Sequence, residues 1–354
     1  MKEQAGLKVL MVGPDRSVHG GISGVVNNYY GAGLDKKVDL CYIGTMVEGS
    51  KLRKFWQAAV AYIRFMKQLP YYDIVHVNMA SDASYYRKSF FVRAAKRAGK
   101  KIVVHQHGGD FQGFYEHLST GQKEKVRRVL SMGDLFLVLT PFWKEFFSRM
   151  VDQNKIIIFS NGIPKAEVTN KEYGQQKLLF LGRICKEKGI DELFSVMPEL
   201  KQKFPQCQLY LGGIWEDEEL RQRAGELTDC VTYLGWISGE EKQRYLRECD
   251  IFVLPSYFEG QPVSVLEAMG YACGIVASEV GGIPHMITDG ETGVLVKPKD
   301  AESLKMGLEK MLSNKSLCEA LGKAAKQKVE KEFSLEANME RLLQLYSKIL
   351  QQED

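Results

Sequence analysis

Short apolar runs alternate with helical patterns along the whole chain, and the alternation begins twice. In the first half the runs cover 8–13, 38–43, 73–78, 101–106, 134–139 and 155–160. They are rich in Val, Ile and Leu and apolar on both faces, as strands are when helices cover both sides of a parallel sheet. Helical segments fall near 21–31, 51–69, 84–98, 121–131 and 141–151. The second series places strands at 177–182, 207–212, 231–235, 250–255, 274–278 and 293–296. Its helices would fill 189–203, 216–227, 239–248, 263–272, 299–313 and 315–332. This alternation predicts an α/β fold with an open sheet in each half.

A chain of 354 residues and 40.1 kDa has room for two such domains. The polar stretch 165–176 reads as the linker, so the expected domains are 1–165 and 166–334. The last helix, about 335–350, is amphipathic, and the tail 335–354 is expected to dock back on the first domain. Two Rossmann-like halves in sequence imply ligands at the carboxyl ends of the strands and a cleft between the halves.

Apolar content of 45% and charged content of 26% exclude disorder, collagen and coiled coil as the main state. No run approaches the roughly 18 apolar residues of a membrane-spanning helix. The first residues lack the pattern of a secretory signal. The seven cysteines are scattered and none forms C-x-x-C, which predicts free thiols in a reducing, cytoplasmic setting and no cysteine zinc site. The net charge of +4 hides an asymmetry. Residues 1–165 carry 25 Lys+Arg against 13 Asp+Glu, and residues 166–354 carry 23 against 31. A basic first half is expected to meet an anionic partner.

Three strand ends carry chemistry. The strand 8–13 runs into a loop that ends His19, Gly20, Gly21, Ile22, Ser23 and then a helix. Paired glycines before a helix let backbone N–H groups approach an anion. The G-x-G-x-x-G and G-x-x-x-x-G-K-[ST] spacings are absent, so neither a dinucleotide fold nor a P-loop is indicated. The strand 177–182 runs into Arg183 and Lys188, a fork and a point charge suited to a diphosphate, with Glu187 as the ordinary alternative partner. After the strand 250–255 come Glu259 and Gly260, and then Glu267 inside the helix that Pro262 begins. A carboxylate in that helix can hold ribose hydroxyls, and N–H groups around Gly260 can face a phosphate.

With these residues the sequence resembles family 4 of the retaining glycosyltransferases. The resemblance rests on Gly20 with Gly21, on His107, on Ser160, Asn161, Gly162 and Ile163, on Arg183 with Lys188, and on Glu259 with Glu267 in an E-x7-E spacing. It implies a GT-B fold of two facing Rossmann-like domains with an interdomain cleft. It implies that Arg183 and Lys188 bind the donor diphosphate, Glu267 the ribose, and Glu259 the transferred sugar. His107 would lie beside the reacting sugar, and Gly20 and Gly21 near the phosphates and acceptor. Gly235, Trp236 and Ile237 would hold the base, and Gly260, Gln261, Pro262 and Val263 complete the donor-binding set. Taken alone, a histidine at a strand end such as His107 is more often a satisfied structural residue, and Asp110 reads as a helix cap or an acceptor contact. The expected reaction is retaining, with a nucleotide sugar (a UDP-sugar) as donor substrate, no cofactor and no metal, since D-x-D is absent. The expected acceptor is a lipid-linked glycan of cell-surface polysaccharide synthesis. A small soluble acceptor, or a non-catalytic sugar-nucleotide binder, is the alternative.

The segment 51–69 places Leu52, Phe55, Trp56, Ala59, Ile63 and Met66 on one helical face. Five cations, Lys51, Arg53, Lys54, Arg64 and Lys67, occur with no acidic residue from 49 to 72. A second basic cluster holds Arg87, Lys88, Arg93, Lys96, Arg97, Lys100 and Lys101. The stripe fits a helix lying on the anionic inner face of the cell membrane, and equally a helix covering its own sheet. Nucleic-acid binding has no supporting motif.

Overall fold

A computed structural model of the chain describes residues 6–167 and 171–351. The chain divides into two compact units, Met1–Pro164 with Leu335–Asp354, and Lys165–Ser334.

In the first unit six parallel strands form one sheet: β1 (Lys8–Gly13), β2 (Asp39–Gly44), β3 (Ile74–Met79), β4 (Lys101–Gln106), β5 (Leu135–Val138) and β6 (Ile156–Ile158), in the order β2-β1-β3-β4-β5-β6. In the second unit β7 (Lys177–Leu181), β8 (Gln208–Gly212), β9 (Val231–Gly235), β10 (Ile251–Leu254), β11 (Gly274–Ser278) and β12 (Val294–Val296) form another, in the order β12-β11-β10-β7-β8-β9. Every registered pair is parallel. The central strands are buried on both faces because helices cover both sides. The edge strands β2 and β9 are partly exposed.

This topology fixes where ligands can bind. In an open parallel sheet the chain reverses its strand order once, and the loops leaving the two flanking strands diverge there into a crevice. In the second sheet the reversal lies between β7 and β10, and in the first between β1 and β3.

The C-terminal helix Leu335–Gln351 packs on the first sheet. His76 Nδ1 and the Tyr346 hydroxyl lie 2.6 Å apart, both fully buried. Asn338 Nδ2 donates to the Ser160 carbonyl at 2.6 Å, which ties the Ser160 turn to this helix.

The helix Lys51–Gln68 covers the sheet with a face that the stripe does not contain. Ala61 and Phe65 are buried, and Phe65 meets Phe91 edge to face at 4.9 Å. Leu52, Phe55, Trp56, Val60, Ile63 and Met66 point away from the sheet, with Phe55 68% and Trp56 62% exposed. The sheet-covering explanation of the stripe therefore fails. Lys88 also departs from the sequence reading, because it is buried in the helix Asp82–Arg97 instead of joining the surface cations.

Candidate functional site

The second unit gathers its charged residues where β7 and β10 part. The loop after β7 carries Arg183 and then a 3-10 turn over Lys186–Lys188. Gly189, at φ +70°, ends this turn and starts the helix Ile190–Lys203. A Cβ there would sit 2.0 Å from the Pro255 carbonyl oxygen, so only glycine lets the two loops approach so closely. The loop after β10 carries Ser256 and Glu259. Tyr257 N donates to the Glu187 carbonyl at 2.9 Å and joins the loops through backbone.

Glu187 is not the partner of either cation. Arg183 Nη1 donates to Glu216 Oε2 at 2.9 Å, and Lys188 Nζ donates to Glu259 Oε1 at 2.5 Å. Ser256 Oγ donates to the same Glu259 oxygen at 2.8 Å. Lys186 pairs with Glu219 at 2.8 Å. Glu259 is 8% exposed, so its carboxylate is held by a cation and a hydroxyl in a largely dehydrated place. The Arg183 pair is about half exposed, which leaves the guanidinium free to exchange its partner for a bound anion. Gly281, at φ +52°, sits beneath Glu259, and a Cβ there would lie 1.9 Å from the Glu259 carbonyl oxygen.

Pro262 occupies the cap position of the helix Val263–Gly270. Val265, Leu266, Ala268 and Met269 are buried, which leaves Glu267 on the outer side. Glu267 Oε1 accepts from Lys242 Nζ at 2.6 Å. Gly260 and Gln261 are buried beside Glu259. Gly235 ends β9 at φ +72°, followed by Trp236, 43% exposed, and buried Ile237.

In the first unit the loop after β1 leads through Gly20 to the helix Gly21–Gly31. A Cβ on either Gly20 or Gly21 would meet nothing within 4 Å, so the space in front of this helix start is open. His19 Nδ1 lies 2.8 Å from Glu48 Oε1. His107 follows β4, and its Nε2 lies 2.9 Å from Asn78 Oδ1. Asn78 Nδ2 faces the Val12 carbonyl at 3.3 Å, so the amide oxygen is the acceptor and His107 carries its proton on Nε2. Burial, reinforced by the Lys88 cation, holds the His107 pKa down to about 3. The ring is therefore neutral, with Nδ1 able to accept. Burial also pushes Lys88 down to about 7, with the Arg87 cation adding to it. The His105 ring lies against His107 in a tilted contact with centroids 3.9 Å apart, and burial keeps it neutral too. Asp110 stands at the cap position of the helix Phe111–Glu116, and burial raises its pKa.

Sequence reasoning missed Glu216, Ser256 and Lys242 as partners of the site residues, and Asn78 as the partner of His107. Nothing in their spacing marks them, because each comes from another loop or helix.

Residues 164–328 match the family model of glycosyl transferases group 1, which spans almost the whole second unit. The amylovoran biosynthesis glycosyltransferase AmsK of Erwinia amylovora is 28% identical over 265 residues, 71% of this chain and 64% of that protein. The chain thus spans less than two thirds of this relative's length. Among solved structures, sucrose-phosphate synthase from Thermosynechococcus elongatus matches with a TM-score of 0.81 at 20% identity, covering 98% of this chain and 99% of that one. Anabaena HepE, in a complex with UDP and glucose, matches with a TM-score of 0.76 at 15% identity, covering 97% and 100%. These likenesses show the GT-B fold, with two Rossmann-like domains.

Proposed function

We propose that this chain, whose residues 164–328 match the family model of group 1 glycosyl transferases, is a retaining glycosyltransferase that moves a sugar from a nucleotide sugar to a lipid-linked glycan. The observation that carries the reading is the gathering of Arg183, Lys188 and Glu259 at the strand-order reversal of the second sheet. This is the place and the charge for a sugar diphosphate. The role of AmsK in amylovoran biosynthesis supports a polysaccharide pathway, and the UDP and glucose of HepE support a UDP-sugar donor.

In this reading an acceptor hydroxyl oxygen bonds to the anomeric carbon as the bond to the diphosphate oxygen breaks. The leaving diphosphate takes the hydroxyl proton on the same face, which retains configuration. The negative charge growing on the diphosphate is met by Arg183 and Lys188 and by the start of the helix Val263–Gly270. Glu259 orients the transferred sugar and steadies its positive charge, without acting as a nucleophile. Glu267 accepts from the ribose hydroxyls. His107 offers a neutral Nδ1 to a sugar hydroxyl. The missing D-x-D motif supports a metal-independent reaction.

The acceptor reading rests on the first unit. The outward stripe of Lys51–Gln68 presents Leu52, Phe55, Trp56, Ile63 and Met66 beside exposed Lys51, Arg53, Lys54 and Lys67. A helix of this kind lies in the interface of an anionic leaflet, each cation adding about 1 kcal/mol. We therefore place the enzyme on the inner face of the cell membrane. No helix among the described residues is long and apolar enough to cross a membrane. The test is a panel of nucleotide sugars with a lipid-diphosphate sugar acceptor, with and without excess chelator. Sugar transfer that survives chelation is expected. Donor binding without transfer or hydrolysis across the panel would mean a sugar-nucleotide binder instead.

A further inference from the structure

We propose that a cleft at the β2 edge of the first unit binds the diphosphate headgroup of the lipid-linked acceptor, with Arg16 and Arg64 as its anion ligands. The proposal rests on the lipid-linked reading of the acceptor and deepens it by naming the site.

The cleft has a volume of about 540 Å³ and opens between the loop after β1, the end of β2 and the helices Gly21–Gly31 and Lys51–Gln68. Arg16 is set in place from two sides. Its guanidinium carbon lies 3.6 Å from the centroid of the Tyr30 ring, and its Nε donates to Asn27 Oδ1 at 2.9 Å. Stacking and one fixed hydrogen bond orient the planar fork and leave its two terminal nitrogens to bind an anion in bidentate fashion. Arg64 enters from the helix Lys51–Gln68. Among the described residues neither arginine forms an ion pair. The one acid in the wall, Asp15, has Oδ1 engaged by the Ser17 amide at 3.1 Å and the Ser17 hydroxyl at 2.8 Å. The wall therefore carries two cations against one acid that is already hydrogen-bonded.

The position of the cleft argues for a lipid source. Val60 lines it and is 55% exposed, and it sits on the same helix as the outward stripe. A headgroup bound between Arg16 and Arg64 can run its chain along Val60 and into the leaflet that receives Phe55 and Trp56. A soluble sugar phosphate would use the arginines and leave this apolar margin unused.

The test is isothermal titration with farnesyl diphosphate, and with inorganic diphosphate, in excess UDP so that the second unit is occupied. The separate UDP titration reports on the donor reading by itself. The wild-type chain is expected to bind farnesyl diphosphate at least about tenfold tighter than inorganic diphosphate. Arg64→Gln and Arg16→Gln should each weaken farnesyl diphosphate at least about tenfold and leave UDP affinity unchanged. Arg16→Lys should not rescue, because an ammonium lacks the fork. Arg64 is exposed, so Arg64→Gln decides the matter even if an Arg16 variant fails to fold. Unchanged affinity in Arg64→Gln, or equal affinity for the two diphosphates, overturns the proposal while leaving the donor reading intact.

Discussion

Lys188 and Glu259 form an ion pair at 2.5 Å across the strand-order reversal of the second sheet, joining the loop after β7 to the loop after β10. One member is assigned to the leaving diphosphate and the other to the transferred sugar. Each therefore fixes the other in position before the donor arrives, and donor binding has little to reorganise.

Lys188→Ala and Arg183→Ala should each lower turnover at least about a hundredfold, because each removes a charge from the leaving group. Their stabilities should differ. The Arg183–Glu216 pair is half exposed, so its loss should change stability by no more than about 1 kcal/mol. Removing Lys188 strands a buried carboxylate and should cost about 3–5 kcal/mol. Steady-state kinetics with urea denaturation of both variants checks this. Full activity in either one removes the diphosphate assignment.

The two glutamates should separate. Glu267→Gln should mainly weaken binding of donor and free nucleotide, through the ribose contact proposed for it. Glu259→Gln should mainly lower kcat and leave nucleotide affinity intact. Titration of both variants with UDP decides it, since equal losses would mean the roles are misassigned.

The outward face of Lys51–Gln68 predicts opposite outcomes for two aromatic changes on one helix. Trp56→Ser should leave stability within about 0.5 kcal/mol of wild type and weaken binding to anionic vesicles. Phe65→Ala, at a fully buried position, should cost about 3–5 kcal/mol. Vesicle binding should fall with added salt. Vesicle sedimentation that ignores both Trp56→Ser and lipid charge would remove the membrane from the account.

Much of this was legible in the sequence. Buried parallel strands are near-continuous Val, Ile and Leu runs, and the runs at 8–13, 101–106 and 274–278 coincide with β1, β4 and β11. The short helices Leu34–Lys37, Phe111–Glu116 and Ile283–Met286 were not legible, because four to six residues are too few to show a helical period. The outward face of Lys51–Gln68 was also hidden. Ala61 and Phe65 on one side and Leu52, Phe55 and Trp56 on the other are both apolar, and only tertiary contact decides which side meets the sheet. Lys88 shows the same limit, since a lysine inside a basic run gives no sign that its side chain turns inward.

Lys88 also makes a pH prediction. Burial lowers its folded pKa to about 7, while in the unfolded chain it keeps a pKa near about 10.4. Between these values the unfolded chain binds more protons, so stability rises with pH across that window. At pH 7 and below, the full cost of a buried charge is present. Lys88→Met should therefore be stabilising at pH 6.5, and the gain should fade as the pH approaches 10. Urea denaturation of both proteins across this range checks it, and a pH-independent difference would mean that Lys88 stays charged when folded.

The central claim is retaining sugar transfer, and the configuration of the product tests it most directly. With an α-linked UDP-sugar and a lipid-diphosphate acceptor, the anomeric proton coupling of the new linkage can be read by NMR. The account predicts an α linkage, formed at a rate that collapses in Lys188→Ala. A β linkage would contradict same-face transfer and the roles given to Arg183, Lys188 and Glu259.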